Sequence, residues 1–153
     1  MVELARRAGV GSATLYRNFA SRRELLEALY ADEIDAVCRL AGTVEGDTAG
    51  ARLTCWLRHF YAYFTRKRAV AAELLTQTDA HSPVFGAGLA RVLQASRPLL
   101  VAAQAAGDVR RDLSLEQVLD LVAAVAAISR TPDYREPLLQ AALDGLQVVN
   151  ARP

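Results

Sequence analysis

Apolar positions recur along most of the chain at the three- and four-residue spacing of amphipathic helices, and no stretch alternates long enough to predict a strand. Leu4, Ala5 and Ala8 predict a short helix over residues 2–8, ended by Gly9 in the left-handed conformation that often follows a helix. A second short helix, over 12–18, presents Leu15 and Phe19 to one side. Ser21 with Glu24 three residues on is a capping-box pattern. It opens a longer helix to about Leu40, with Leu25, Leu26, Leu29, Ile34, Val37 and Cys38 as its inward stripe. Residues 41–50 hold three glycines, two threonines and an aspartate, and predict a loop that is the best domain boundary in the chain.

Beyond that loop, a helix over 51–66 carries Leu53, Trp56, Leu57, Phe60 and Phe64 on one face, flanked by Tyr61 and Tyr63. A short helix over 69–76 and a turn over 79–83 follow. A long helix then runs from residue 84 or 85 to 106, with a kink expected at Pro98 and an end at Gly107-Asp108. Ser114 caps a helix reaching residue 129, with Glu116 and Gln117 in its first turn. Thr131-Pro132-Asp133 breaks it, and a last helix spans about 135–149. The fold class is all-α, with eight or so helices.

Composition agrees with this pattern. The residues are 52% hydrophobic but only 7% aromatic, and Ala and Leu, both strong helix formers, lead the apolar set. That mix argues against an all-β fold and against disorder. Every long apolar stretch is interrupted by a charge or a helix breaker, so no membrane span is expected, and the first residues lack the apolar core of a secretory signal. Cys38 and Cys55 lie in apolar helical stretches without metal-ligand spacing and read as buried free thiols of a cytoplasmic protein.

Charge is distributed unevenly. Arg6, Arg7, Arg17, Arg22 and Arg23 face only Glu3 and Glu24 within the first 24 residues, whereas the remainder is mildly acidic. A basic head of this kind suits an anionic partner. Two short helices joined through Ala8-Gly9-Val10-Gly11, the second rich in hydroxyls, fit a helix-turn-helix whose second helix enters the major groove of DNA. Ser12, Thr14 and Tyr16 offer hydroxyls to phosphates or base edges. Arg17 has the reach for a guanine or a phosphate, and Asn18 for an adenine or a phosphate. Arg22 and Arg23 add charge at the start of the next helix. The competing reading of the same pattern is a pair of amphipathic helices with solvated arginines.

The run Ala8-Gly-Val-Gly-Ser-Ala-Thr-Leu-Tyr-Arg-Asn-Phe-Ala-Ser-Arg-Arg-Glu-Leu25 strongly resembles the DNA-binding signature of the TetR family of bacterial transcriptional regulators. The break from Gly107 to Ser114 also resembles the one before the penultimate helix of many members. The resemblance implies a homodimeric regulator, usually a repressor, acting on a palindromic operator in double-stranded DNA. It divides the chain into a helix-turn-helix head with connecting helix, residues 1–40, and a C-terminal effector-binding and dimerisation bundle, residues 41–153. Carried over by position, Ser12, Ala13, Thr14, Tyr16, Arg17 and Asn18 lie on the recognition helix, and Arg22 is the phosphate-binding basic residue. Leu4, Ala5, Leu15 and Phe19 are then core. Gly11 stands where a capping serine is usual, Ala13 where a glycine is common, and Asn18 replaces the commoner histidine. The family's first helix would precede Val2. The expectation is therefore a start assigned too far downstream, and weak DNA binding by these 153 residues alone.

The resemblance places an effector pocket inside the bundle, and the aromatic stripe supplies Trp56, His59, Phe60, Tyr63 and Phe64, with Phe85 and His81 after it. Such a stripe is also what a plain core looks like. The pocket would be mostly apolar and would take an unknown, hydrophobic or aromatic small molecule. Cys55 and His59 at i, i+4 lack further ligands, so no metal is expected, nor any cofactor. For the dimer, Leu115, Val118, Leu119, Val122 and Val125 form one broad face, with Leu121 and Ile128 on another. Leu138, Leu139, Ala142, Leu143, Leu146 and Val149 stripe the last helix. Two such helices from each subunit would make a four-helix interface. Nothing assembles a nucleophile with a base or a phosphate loop, so an enzyme is not expected. The alternative function is a helical dimeric ligand- or partner-binding protein that has lost DNA binding.

Overall fold

The computed structural model describes residue 9 and residues 11–77 and 83–148. These residues form six α-helices and no strand: α1 (Ser12–Asn18), α2 (Arg22–Thr43), α3 (Ala49–Gln77), α4 (Pro83–Ala106), α5 (Leu115–Ala127) and α6 (Pro132–Asp144). The helix expected over 2–8 lies outside the described residues, as do His81 and most of the expected turn over 79–83. Gly9 has φ +67°, the left-handed conformation expected of it.

Three boundaries differ from the sequence expectation. The loop over 41–50 shrinks, because α2 continues to Thr43 and α3 begins at Ala49. The helices expected over 51–66 and 69–76 are one helix, α3. No glycine or proline separates them, and the Lys67-Arg68 pair between them favours helix. The last helix lies earlier than expected. Thr131 N-caps it, accepting the Tyr134 N–H, and Pro132 occupies the first turn, where its missing N–H costs nothing. After Gly145 the chain leaves the helix to form an isolated antiparallel bridge between Gln147 and Val109. At α5 the expected cap is present in full, with the Ser114 hydroxyl on the Gln117 N–H and the Gln117 side chain on the Ser114 N–H. Helix α4 runs through Pro98 to Ala106.

One apolar core unites α2 to α6. It takes Ile34, Val37 and Ala41 from α2, Leu53, Trp56, Leu57, Phe60 and Tyr63 from α3, and Val92, Leu100 and Ala103 from α4. Helix α5 adds Val118 and Val122, and α6 adds Leu139 and Leu143. Burying a side chain such as Leu57 fully is worth about 1.5–3 kcal/mol. Trp56 is also fully buried, and its indole N–H donates to the Val37 carbonyl at 3.1 Å, which satisfies its polar atom across the α2/α3 contact. The second half of α2 is therefore part of the bundle core, although its first turn follows the head.

The end of the bundle remote from Arg22 is tied through Asp108. Its carboxylate accepts the Gly50 N–H at 2.8 Å, and its carbonyl accepts the Val148 N–H at 3.1 Å. A Cβ at Gly50 would lie 2.7 Å from Asp108 Cβ, so glycine is required at this close approach.

Candidate nucleic-acid interface

Helix α1 begins with the Thr14 N–H donating to the Gly11 carbonyl at 3.0 Å, with no side-chain cap from the glycine. Ala13, Thr14, Tyr16, Arg17 and Asn18 are all exposed, and Tyr16 shows 49% of its surface. The side chains of Ser12 and Leu15 lie outside the described residues; Phe19 is half-buried. Thr14 is the local hub. Its hydroxyl accepts from Arg17 Nη2 at 3.3 Å, and its carbonyl accepts from Asn18 Nδ2 at 2.8 Å. The Asn18 amide, expected to pair with adenine or phosphate, here turns back onto its own helix.

The joint between α1 and α2 is held locally. The Ser21 hydroxyl accepts the Glu24 N–H at 3.1 Å, while the Glu24 carboxylate accepts the Ala20 N–H at 2.7 Å, one residue further back than in a standard capping box. Arg22 is exposed at the start of α2. The Arg23 guanidinium is paired with Glu27 at 2.7 Å, so its charge is partly compensated within its own helix.

The residues expected in the effector pocket divide into two groups. Trp56, Phe60 and Tyr63 are buried, with the Trp56 and Phe60 rings stacked at 5.4 Å between centroids. His59 and Phe64 are exposed, although Phe64 also touches Phe60 and meets the Tyr63 ring edge-on at 5.5 Å. The Phe85 side chain lies outside the described residues. Burial, with a smaller contribution from nearby Tyr30 and Glu33, pushes the Tyr63 phenol well above its ordinary range. A groove of about 600 Å³ opens elsewhere, between the start of α3 and the Asp108 tie, lined by Thr54, Cys55, Arg58, Asp108 and Gln147 among others. None of the expected pocket residues lines it.

The expected dimer residues need correction. Leu115, Val118, Leu119, Val122, Val125, Leu139, Leu143 and Leu146 are all buried within the chain itself. They are held there by packing against α3 and between α5 and α6, so they offer no surface to a second copy. The outward apolar positions are the other face: Leu121 and Ala124, with half-buried Ile128, on and just after α5, and Tyr134, Leu138 and Ala141 on α6.

Two family models match the chain. Residues 1–29 match bacterial regulatory proteins of the tetR family, and residues 48–148 match the C-terminal domain of SbtR-like transcriptional regulators. The chain belongs to the TetR family. Among solved structures it is similar to a TetR transcriptional regulator from Streptomyces coelicolor, with 33% identity and a TM-score of 0.76, over 95% of this chain and 85% of that one. It also shares its fold with a TetR family transcription regulator from Marinobacter aquaeolei VT8, at 17% identity and a TM-score of 0.57, over 94% and 82% of the two chains. No curated protein matches.

This TetR-family protein is thus a DNA-binding transcriptional regulator with an all-helical fold, and its family and fold are those of regulators rather than of enzymes. Among the described residues no helix is long and apolar enough to cross a membrane. Sequence reasoning placed Leu138 in the apolar stripe of the last helix but missed Tyr134 and Ala141, which share its outward face at i, i+4, i+7. That spacing was available, but the more continuous leucine stripe beside it masked it.

Proposed function

We propose that this regulator is a small-molecule-responsive repressor, acting in the cytoplasm as a homodimer on a palindromic operator. Its head and connecting helix, residues 1–40, read DNA, and residues 41–153 bind the effector and dimerise. The observation that carries this reading is the exposed α1, joined through the Ser21 and Glu24 caps to a helix whose far half is built into the bundle core. Ser12, Ala13, Thr14, Tyr16, Arg17 and Asn18 are assigned to the major groove and Arg22 to a phosphate. Dimerisation is assigned to the outward stripe of α5 and α6, around Leu121 and Leu138, since an apolar face turned to solvent fits a self-complementary contact. The effector is assigned to the Tyr63 and Phe64 side of α3; Phe85 keeps its assignment to the pocket from the family resemblance alone. There an aromatic edge reaches the surface, whereas Trp56 is sealed in the core.

Fluorescence anisotropy of a labelled duplex from the DNA flanking the gene, titrated with the protein, tests the reading. The expected result is two chains per duplex and a logarithm of affinity that falls linearly with the logarithm of salt concentration. Failure to bind any such duplex at low salt would overturn it.

A further inference from the structure

We infer that the groove between the start of α3 and residues 147–148 is a second small-molecule site, separate from the Tyr63 and Phe64 side of α3, and that it takes an uncharged ligand with a cis-amide edge, an N–H and a carbonyl side by side as in a lactam. The site stands independently of the DNA-binding and effector readings above.

The groove holds about 600 Å³, within the roughly 300–1,000 Å³ of small-molecule sites. Its walls come from segments tied to one another. At one end the Asp108 carboxylate accepts the Gly50 N–H, and Gln147 pairs with Val109. Arg58 lies eight residues beyond Gly50, about 12 Å along α3. Its guanidinium bonds to Glu136 at 2.7 Å and to Gln140, which donates in turn to Asp144 at 2.6 Å. Leu138 is two positions from both Glu136 and Gln140, about 200° round the helix. The groove therefore stays open when the outward stripe around Leu138 is covered.

The two charged side chains that line the groove are already engaged inside the protein, Arg58 by Glu136 and Asp108 by the Gly50 N–H. An ion entering the groove would compete with partners held in place. The groups left for a ligand are uncharged: the half-buried Thr54 hydroxyl on α3 and the exposed Gln147 carboxamide. Among the described residues, neither side chain makes a hydrogen bond. A carboxamide sets an N–H donor beside a carbonyl acceptor, so its best complement is an edge with the same pair, which closes two parallel hydrogen bonds. The Thr54 hydroxyl can donate or accept, and so serves a further polar atom of either kind. Ala51 and Val148 supply apolar contact. A cyclic dipeptide and a lactam-type purine share this chemistry.

The test follows backbone amide shifts by NMR as cyclo(glycyl-leucine) or hypoxanthine is titrated into the protein, each beside its N-methylated form, in which the amide donor is blocked. At least one of the two compounds should shift the Gly50, Cys55 and Gln147 amides saturably, and the tighter binder identifies the source. The N-methylated forms should bind about five-fold more weakly or worse, the ordinary worth of one hydrogen bond. Gln147→Ala and Thr54→Val should each weaken binding by a similar factor at an unchanged unfolding midpoint. Gln94→Ala, at an exposed position on α4, should leave binding as it was. Should Thr54→Val not fold, Gln147→Ala at its exposed position decides alone. Equal binding of the N-methylated forms would overturn the amide edge. Shifts confined to Tyr63 and Phe64 would overturn the second site, and so would the absence of any saturable shift with either compound.

Discussion

The head and the bundle use side chains of similar chemistry in opposite ways. In α1, five described positions in a row of seven face solvent, and their hydrogen bonds are local ones that preserve the helix. In α3, the aromatic residues that invite a ligand assignment are mostly packed against the other helices. Polar and aromatic groups on a surface helix cost the free protein little and remain available to a partner. The same groups inside a bundle hold it together and are withdrawn from any partner. Exposure, more than residue type, separates recognition from core here.

The largest effect that tests this contrast is on stability. Trp56→Ala removes a fully buried ring and the indole bond to Val37, and should cost about 3–5 kcal/mol in denaturant unfolding. If Trp56 lined an open pocket instead, the loss would be far smaller. Next comes Arg17→Ala, which should weaken operator binding by about 1–3 kcal/mol while leaving the unfolding midpoint near that of the parent. A substantial loss of stability would make α1 structural and erase the contrast. The smallest effect is alkaline. Burial raises the Tyr63 phenol in the folded state, so the unfolded chain ionises first and folding stability falls as pH rises past the ordinary tyrosine value of about 10. Below that pH the contribution is fully present. Over the first pH unit beyond it, the loss is at most about 1.4 kcal/mol. Thermal melts of Tyr63→Phe should lose less over that interval than the parent; an identical fall would place the phenol in water.

Much of the architecture was legible in the residues. Ser21, Ser114 and Gly107 mark helix ends through local bonding, which depends on a few adjacent side chains. The run from Ala8 to Leu25 located the head through its resemblance to the family's DNA-binding signature. Where the reading failed, the deciding contacts were distant in sequence. The last helix ends at Asp144, and the chain then pairs Gln147 with Val109 in a bridge that no local pattern announces. The assignment of α5 inverted because a helix rich in apolar residues on two faces does not say which face its own chain covers. Here the broad face from Leu115 to Val125 packs inward, leaving Leu121 outside.

Asp108 gives the molecule a fixed end. One residue holds the first turn of α3 by its side chain and the segment after α6 by its carbonyl, while its own N–H closes the end of α4 on the Ala103 carbonyl. Three segments that could otherwise splay are anchored at one point, at the base where α2 also terminates. A bundle anchored there should open from its other end, so the Gly50 and Asp108 amides should be among the slower ones to exchange with solvent.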